Sequence, residues 1–150
     1  MYYLKDYWPG KIHASRVSYR VTEEEINEVG RRWDPRPSRT GPAAAAEPGG
    51  VIACPAHLIC IVSWLAHHVD EDVATVGGLG WNNIKMHAPV RPGDDISLKA
   101  VCLESRFSKS RTDCGVVTCR NDLYNQNGDL VFSAEVSLLV KVRPEVERSS

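Results

Sequence analysis

The sequence predicts an α+β protein in which one curved antiparallel sheet wraps around a single long, apolar helix. Three observations predict it. A stretch opening at Pro55 is apolar almost without interruption. The second half of the chain alternates apolar and polar residues in successive runs. Asn127-Gly128, a strong two-residue hairpin signal, joins the last two of those runs. With 150 residues, 43% of them hydrophobic and 25% charged, the chain has the balance of an ordinary globular protein. That length can bury one core, and residues 1–150 read as one domain.

Taken in order, residues 1–13 are aromatic and turn-rich and break at Pro9-Gly10. Arg16–Val21 alternates as a strand does. Thr22 with Glu25 three residues on makes a capping box, in which the hydroxyl accepts an orphan helix N–H and the carboxylate reaches back. Ile26, Val29 and Trp33 then recur at helical spacing, so residues 23–33 form a short amphipathic helix, ended by Asp34-Pro35. Residues 34–50 hold four prolines and three glycines, a long connection in which Ala43–Ala46 have room for one helical turn. A connection of that length in a compact domain points to function.

Proline is favoured in a helix's first turn, so Pro55 opens a helix of about 15 residues. It carries almost no polar face, which predicts burial on all sides. Gly77-Gly78 and Gly80 punctuate the chain beyond that helix. Ile84, Met86 and Ala88 mark a strand, and Pro89 with Pro92-Gly93 a turn. Further strands fall on Ile96–Cys102, on about Cys114–Tyr124, and on Leu130–Val142, where alternation is clearest. One curved sheet around one helix leaves its other face and its edges open, so a homodimer or a larger homo-oligomer is expected.

Composition also excludes. A net charge of −1, from 18 basic and 19 acidic residues, supplies no field for nucleic acid or an anionic membrane. The most apolar stretch, Val51–Val69, is interrupted by Pro55, His57, Ser63, His67 and His68 and falls short of the roughly 20 residues a membrane span needs. Residues 1–10 lack the pattern of a signal peptide, and a cytoplasmic location is expected. The five cysteines are odd in number and show no CxxC spacing, so neither a disulfide framework nor a zinc site is expected; they read as small buried hydrophobes.

Several stretches together resemble one family. Val21–Ile26 (VTEEEI), Trp33–Pro37 (WDPRP), Gly49–Ala53 (GGVIA), Ala88–Asp94 (APVRPGD), Asn125–Val131 (NQNGDLV) and Leu139–Arg143 (LVKVR) resemble, in order, the pattern of the MaoC-like dehydratases, the (R)-specific enoyl-CoA hydratase type. The resemblance implies a hotdog fold and reversible addition of water to an acyl thioester. It implies no cofactor and no metal; coenzyme A enters as part of the substrate. In the family an Asp and a His in a D-x-N-P-x-H pattern activate water, and a glycine N–H at the start of the central helix holds the thioester oxygen. The Asp falls on Asp34 and the Pro on Pro37. The Asn falls on Arg36, the His on Arg39 and the glycine on Pro55. Arginine cannot serve as a general base, and proline has no N–H to donate.

Asp34 is therefore the expected base. His57, two residues into the helix, is a secondary candidate as acid, base or carbonyl donor. Arg39 suits a carboxylate or phosphate on the ligand. Cys54, Pro55 and Ala56 line the helix start, where a backbone N–H of Cys54 or Ala56 can replace the lost glycine. Lys85, Arg91 and Lys99 are available to coenzyme phosphates. Two other readings stand beside the hydratase: a thioesterase using Asp34 on the carbonyl carbon, and a module that binds an acyl thioester without turnover.

Overall fold

A computed structural model describes residues 1–37 and 39–145. After a single 3-10 turn at Leu4–Asp6, strands β1 (Ile12–Ala14) and β2 (Tyr19–Arg20) precede helix α1 (Glu23–Trp33), helix α2 (Gly41–Ala46) and the central helix α3 (Pro55–Ala66). Four long strands complete the chain: β3 (Thr75–Met86), β4 (Asp95–Phe107), β5 (Cys114–Tyr124) and β6 (Leu130–Lys141). They form one antiparallel sheet in the order β1-β4-β5-β6-β3, with β2 also pairing with β4. The sheet does not close on itself.

The core lies between α3 and the sheet. Leu58, Ile61, Val62 and Leu65 of α3 pack with Ile96 and Leu98 of β4, Leu123 of β5 and Phe132 of β6, all essentially inaccessible. Truncating such a side chain to alanine costs about 2–5 kcal/mol, so this contact positions everything else. Val21 and Ile26 seal the α1 side of the same cluster, and Val51 and Ala53 anchor the segment entering α3.

Several expectations need correction. The strand expected over Arg16–Val21 is only Tyr19–Arg20, while β1 was not anticipated. Both pair with β4, but the chain leaves it between them because Arg16 N–H turns to the carbonyl of His68. The strand expected to begin at Ile84 starts at Thr75 and runs through the glycines, with irregular register at Thr75/Gly77, Gly78/Gly80 and Asn82/Lys85. Glycines in an edge strand mark bulges here, not a loop. Trp33 does not join the core: it is 67% exposed, with the Arg32 guanidinium over its ring.

Helix α3 has 12 residues, and only one side of it is buried. Ala56, Cys60, Ser63, Trp64 and His67 are exposed in the single chain. The sheet can cover one face of a helix only, so uniform apolarity exceeds what one copy can bury. No helix among the described residues is long and apolar enough to cross a membrane.

Candidate functional site

Asp34 caps the C-terminus of α1, its N–H bonding the carbonyl of Gly30. Its side chain is 19% exposed. Arg36 Nε donates to Oδ1 at 2.8 Å, while Arg39 Nη1 stands 3.8 Å from Oδ2, beyond hydrogen-bond reach. One oxygen is thus occupied, and Oδ2 accepts no hydrogen bond among the described residues. Two residues in the connection, Arg36 and Arg39, surround the carboxylate where the resemblance implied an Asn and a His.

The connection is tied to the start of α3. Ile52 N–H donates to the carbonyl of Arg39 at 2.8 Å, and Ala53 N–H donates to that of Val90 at 2.9 Å. Arg91, next in sequence, lays its guanidinium over Gly49 so closely that any Cβ there would collide with it; Gly49 also has φ +89, a conformation that suits glycine. Cys54 is the N-cap residue, buried and without a side-chain cap, and Pro55 occupies the first turn. The first hydrogen bond of α3 runs from Leu58 N–H to the Cys54 carbonyl. The N–H groups of Ala56 and His57 therefore have no partner within the helix, and Ala56 is exposed. They are backbone donors at the positive end of the helix dipole, beside the position where the resemblance implied a glycine.

His57 is buried, but no backbone carbonyl among the described residues satisfies it. Its Nε2–H donates to Glu25 Oε1 at 2.6 Å, and the Tyr19 hydroxyl donates to the same oxygen. Burial and that acidic partner push the Tyr19 hydroxyl up to about 12, so it stays protonated as a donor. Sequence reasoning placed Glu25 in a capping box. Only half of that box exists: Thr22 accepts from Glu25 N–H, while the Glu25 carboxylate goes to His57 and Tyr19 instead. The Thr22-x-x-Glu25 spacing signalled a local bond, and nothing local marks a partner 32 positions away.

The remaining candidates disperse. Lys85 and Lys99 are exposed on strands, Lys99 lying over the Tyr124 ring at 5.4 Å. All five cysteines are free. Burial pushes the Cys119 thiol up to about 12, which fits an inert thiol.

Beneath the C-terminal half of α3 a cavity of about 630 Å³ opens against the concave face of the sheet. Val62, Ala66, Val69, Leu98, Val117 and Leu138 make it largely apolar, and His13, Asn121 and Asp72 are among its polar groups. His13 is 5% exposed. Burial, with Lys11 nearby, holds its imidazole below the ordinary value.

Comparison with solved structures defines the class. Over 97% of this chain and 100% of the other, it superposes on a MaoC-like dehydratase from Rhodospirillum rubrum with a TM-score of 0.85 and 29% identity. An (R)-hydratase from Pseudomonas aeruginosa matches over 99% of this chain and 95% of its own, with a TM-score of 0.67 and 18% identity. A Mycobacterium tuberculosis protein described as having a double hotdog fold matches over 99% of this chain and 46% of its own, with a TM-score of 0.70 and 14% identity. No protein-family model and no curated protein matches the sequence. The chain has the hotdog fold. Within that class its structure is similar to that of a MaoC-like dehydratase, in line with the resemblance carried by the sequence motifs.

Proposed function

We propose that this protein is an acyl-thioester hydratase/dehydratase that reversibly adds water across the double bond of a trans-2-enoyl thioester such as an enoyl-CoA. The observation that carries the reading is Asp34: a half-buried carboxylate with Oδ1 held by Arg36 and Oδ2 accepting no hydrogen bond among the described residues. The whole-length likeness to a MaoC-like dehydratase supports it.

In the hydration direction Asp34 Oδ2 takes a proton from water as its oxygen bonds to the β-carbon. The π electrons move towards the thioester carbonyl, whose growing negative charge meets the free N–H groups of Ala56 and His57 at the start of α3. The protonated Asp34 then returns that proton to the α-carbon, which leaves the carboxylate ionised again as the carbonyl re-forms. Arg36 fixes the carboxylate's orientation, which a lone loop residue would otherwise lack.

A homodimer suits the exposed apolar surface. Edge strand β3 leaves Val76, Leu79, Ile84 and Met86 at 39–55% exposure, and Trp64 of α3 is 41% exposed. A second copy along that edge covers both the unpaired strand and the open side of the helix.

A second reading, binding without turnover, draws on the two arginines around Asp34 and on Pro55 in place of a glycine. Incubation with crotonyl-CoA separates the two. Hydration removes the conjugated enoyl absorbance, thioesterase action would instead release free thiol, and saturable binding with neither change favours the module. Asp34→Ala should abolish hydration; an unaltered rate would exclude Asp34 as the base.

A further inference from the structure

Four buried side-chain nitrogens lack a hydrogen-bond partner among the described residues, and three of them belong to residues bound to α3 or to the segment entering it: Arg39 Nη1, His57 Nδ1 and Arg91 Nη1. A buried donor without a partner has given up water for nothing, so such groups are rare unless a partner arrives later. Two of the three are guanidinium nitrogens, which cannot escape the cost by losing a proton.

Both arginines are held in place. Arg91 lies over Gly49, at the head of segment 49–53, and its main-chain N–H is pinned by Asp94 Oδ2 at 2.9 Å. Arg39 is fastened to Ile52 of the same segment through its carbonyl. Asp34 does not satisfy Arg39: the ion pair is long, at 3.8 Å, and Arg36 already holds that carboxylate at 2.8 Å. Two guanidinium nitrogens attached to the segment entering α3 are therefore left without an acceptor among the described residues. A planar oxyanion matches a guanidinium fork, and the buried position of the free nitrogens suits an anion that enters with the ligand.

We infer that Arg39 and Arg91 bind a carboxylate carried on the acyl group, so that the preferred ligand is a dicarboxylic half-thioester. This rests on the reading that the start of α3 receives an acyl thioester. The alternative source of an oxyanion is a coenzyme phosphate, and the test separates them.

Isothermal calorimetry on the full chain would compare glutaryl-CoA, valeryl-CoA and free coenzyme A. Both thioesters are saturated, so binding is read without hydration. Glutaryl-CoA should bind about tenfold or more tightly than valeryl-CoA, the scale of one charge-assisted pair. Arg39→Met and Arg91→Met should each erase that preference and leave valeryl-CoA affinity unchanged. The glutamine versions, with thermal unfolding of every variant, guard against a loss caused by misfolding. Equal affinity for the two thioesters in the unaltered protein overturns the inference, as does a preference that survives both substitutions. Losses that extend equally to valeryl-CoA and free coenzyme A assign the arginines to phosphate and overturn it too. A glutaryl preference without loss of enoyl absorbance on crotonyl-CoA or glutaconyl-CoA would sink the hydratase reading alone; no binding by any thioester would sink both.

Discussion

The two ends of α3 treat buried polar groups differently. At its start, two arginines and a histidine keep nitrogens without partners among the described residues. Under its far half lies an apolar cavity whose one such atom belongs to His13. Histidine can shed its proton, and burial holds His13 below its ordinary value, towards the neutral form. Arginine has no such escape. Unrelieved charge at one end and relieved charge at the other teach that the start of α3 is kept polar at a standing cost, as expected of a ligand site, while the far end is arranged as an apolar volume.

The sharpest way to break this contrast is kinetic. Asp34→Asn should lower kcat for enoyl-thioester hydration by about 10²–10⁴-fold, the usual contribution of a general base. His13→Phe, at the other end, should leave kcat within about twofold, far below that scale. Comparable losses in both would place chemistry at the far end and dissolve the distinction.

Stability gives the next test. Glu25→Ala strips His57 of its acceptor at 2.6 Å and should cost about 1–3 kcal/mol in urea unfolding, the range for a buried donor left unpaired. Glu25→Gln keeps a carbonyl oxygen in place and should cost less. Equal losses would mean that what Glu25 contributes does not come from accepting the His57 N–H.

The opposite sign is expected nearby. Arg91→Met removes an orphaned guanidinium nitrogen yet keeps an apolar stem over Gly49, so unfolding should become harder by about 1 kcal/mol. A destabilised variant would show that Arg91 braces the segment entering α3.

How much of this was legible depends on the range of each signal. Alternation along residues 130–142 and the apolar run from Pro55 are local and periodic, and they mark β6 and α3 correctly. Strand β3 was half hidden, because glycine weakens a strand pattern while bulges in an edge strand accept it. Asp34 was found through its place in a motif, but its partnership with Arg36 depends on side-chain geometry in a proline-rich connection. Glu25 was misassigned because spacing along a helix reports neighbours on that helix and is blind to His57 on another. The closeness of Arg91 to Gly49 was equally unreadable: 42 positions separate them, and only the fold brings them together.

The smallest effect concerns His13 and sharpens the contrast through pH. Its imidazole lies below its ordinary value because burial, and then Lys11, disfavour the charged form, with Asp70 and Asp6 opposing. In the unfolded chain a histidine titrates near 6.5. Above that value both states are neutral at this position and it contributes no pH dependence. Below it the unfolded chain takes up a proton that the folded protein resists, so stability falls as pH drops from about 6.5 towards the lower folded value. His13→Phe removes the titration and keeps an aromatic ring beside Tyr2 and Tyr7, whose centroids lie 4.6 and 4.9 Å from that of His13. The variant's advantage in urea unfolding should therefore be small at pH 7.5 and widen steadily as pH falls below about 6.5 towards 5. Every other titrating group is common to both proteins and cancels in the difference. An advantage that stays constant across that range would mean His13 protonates freely in the fold, and the relieved-charge account of the far end would fall with it.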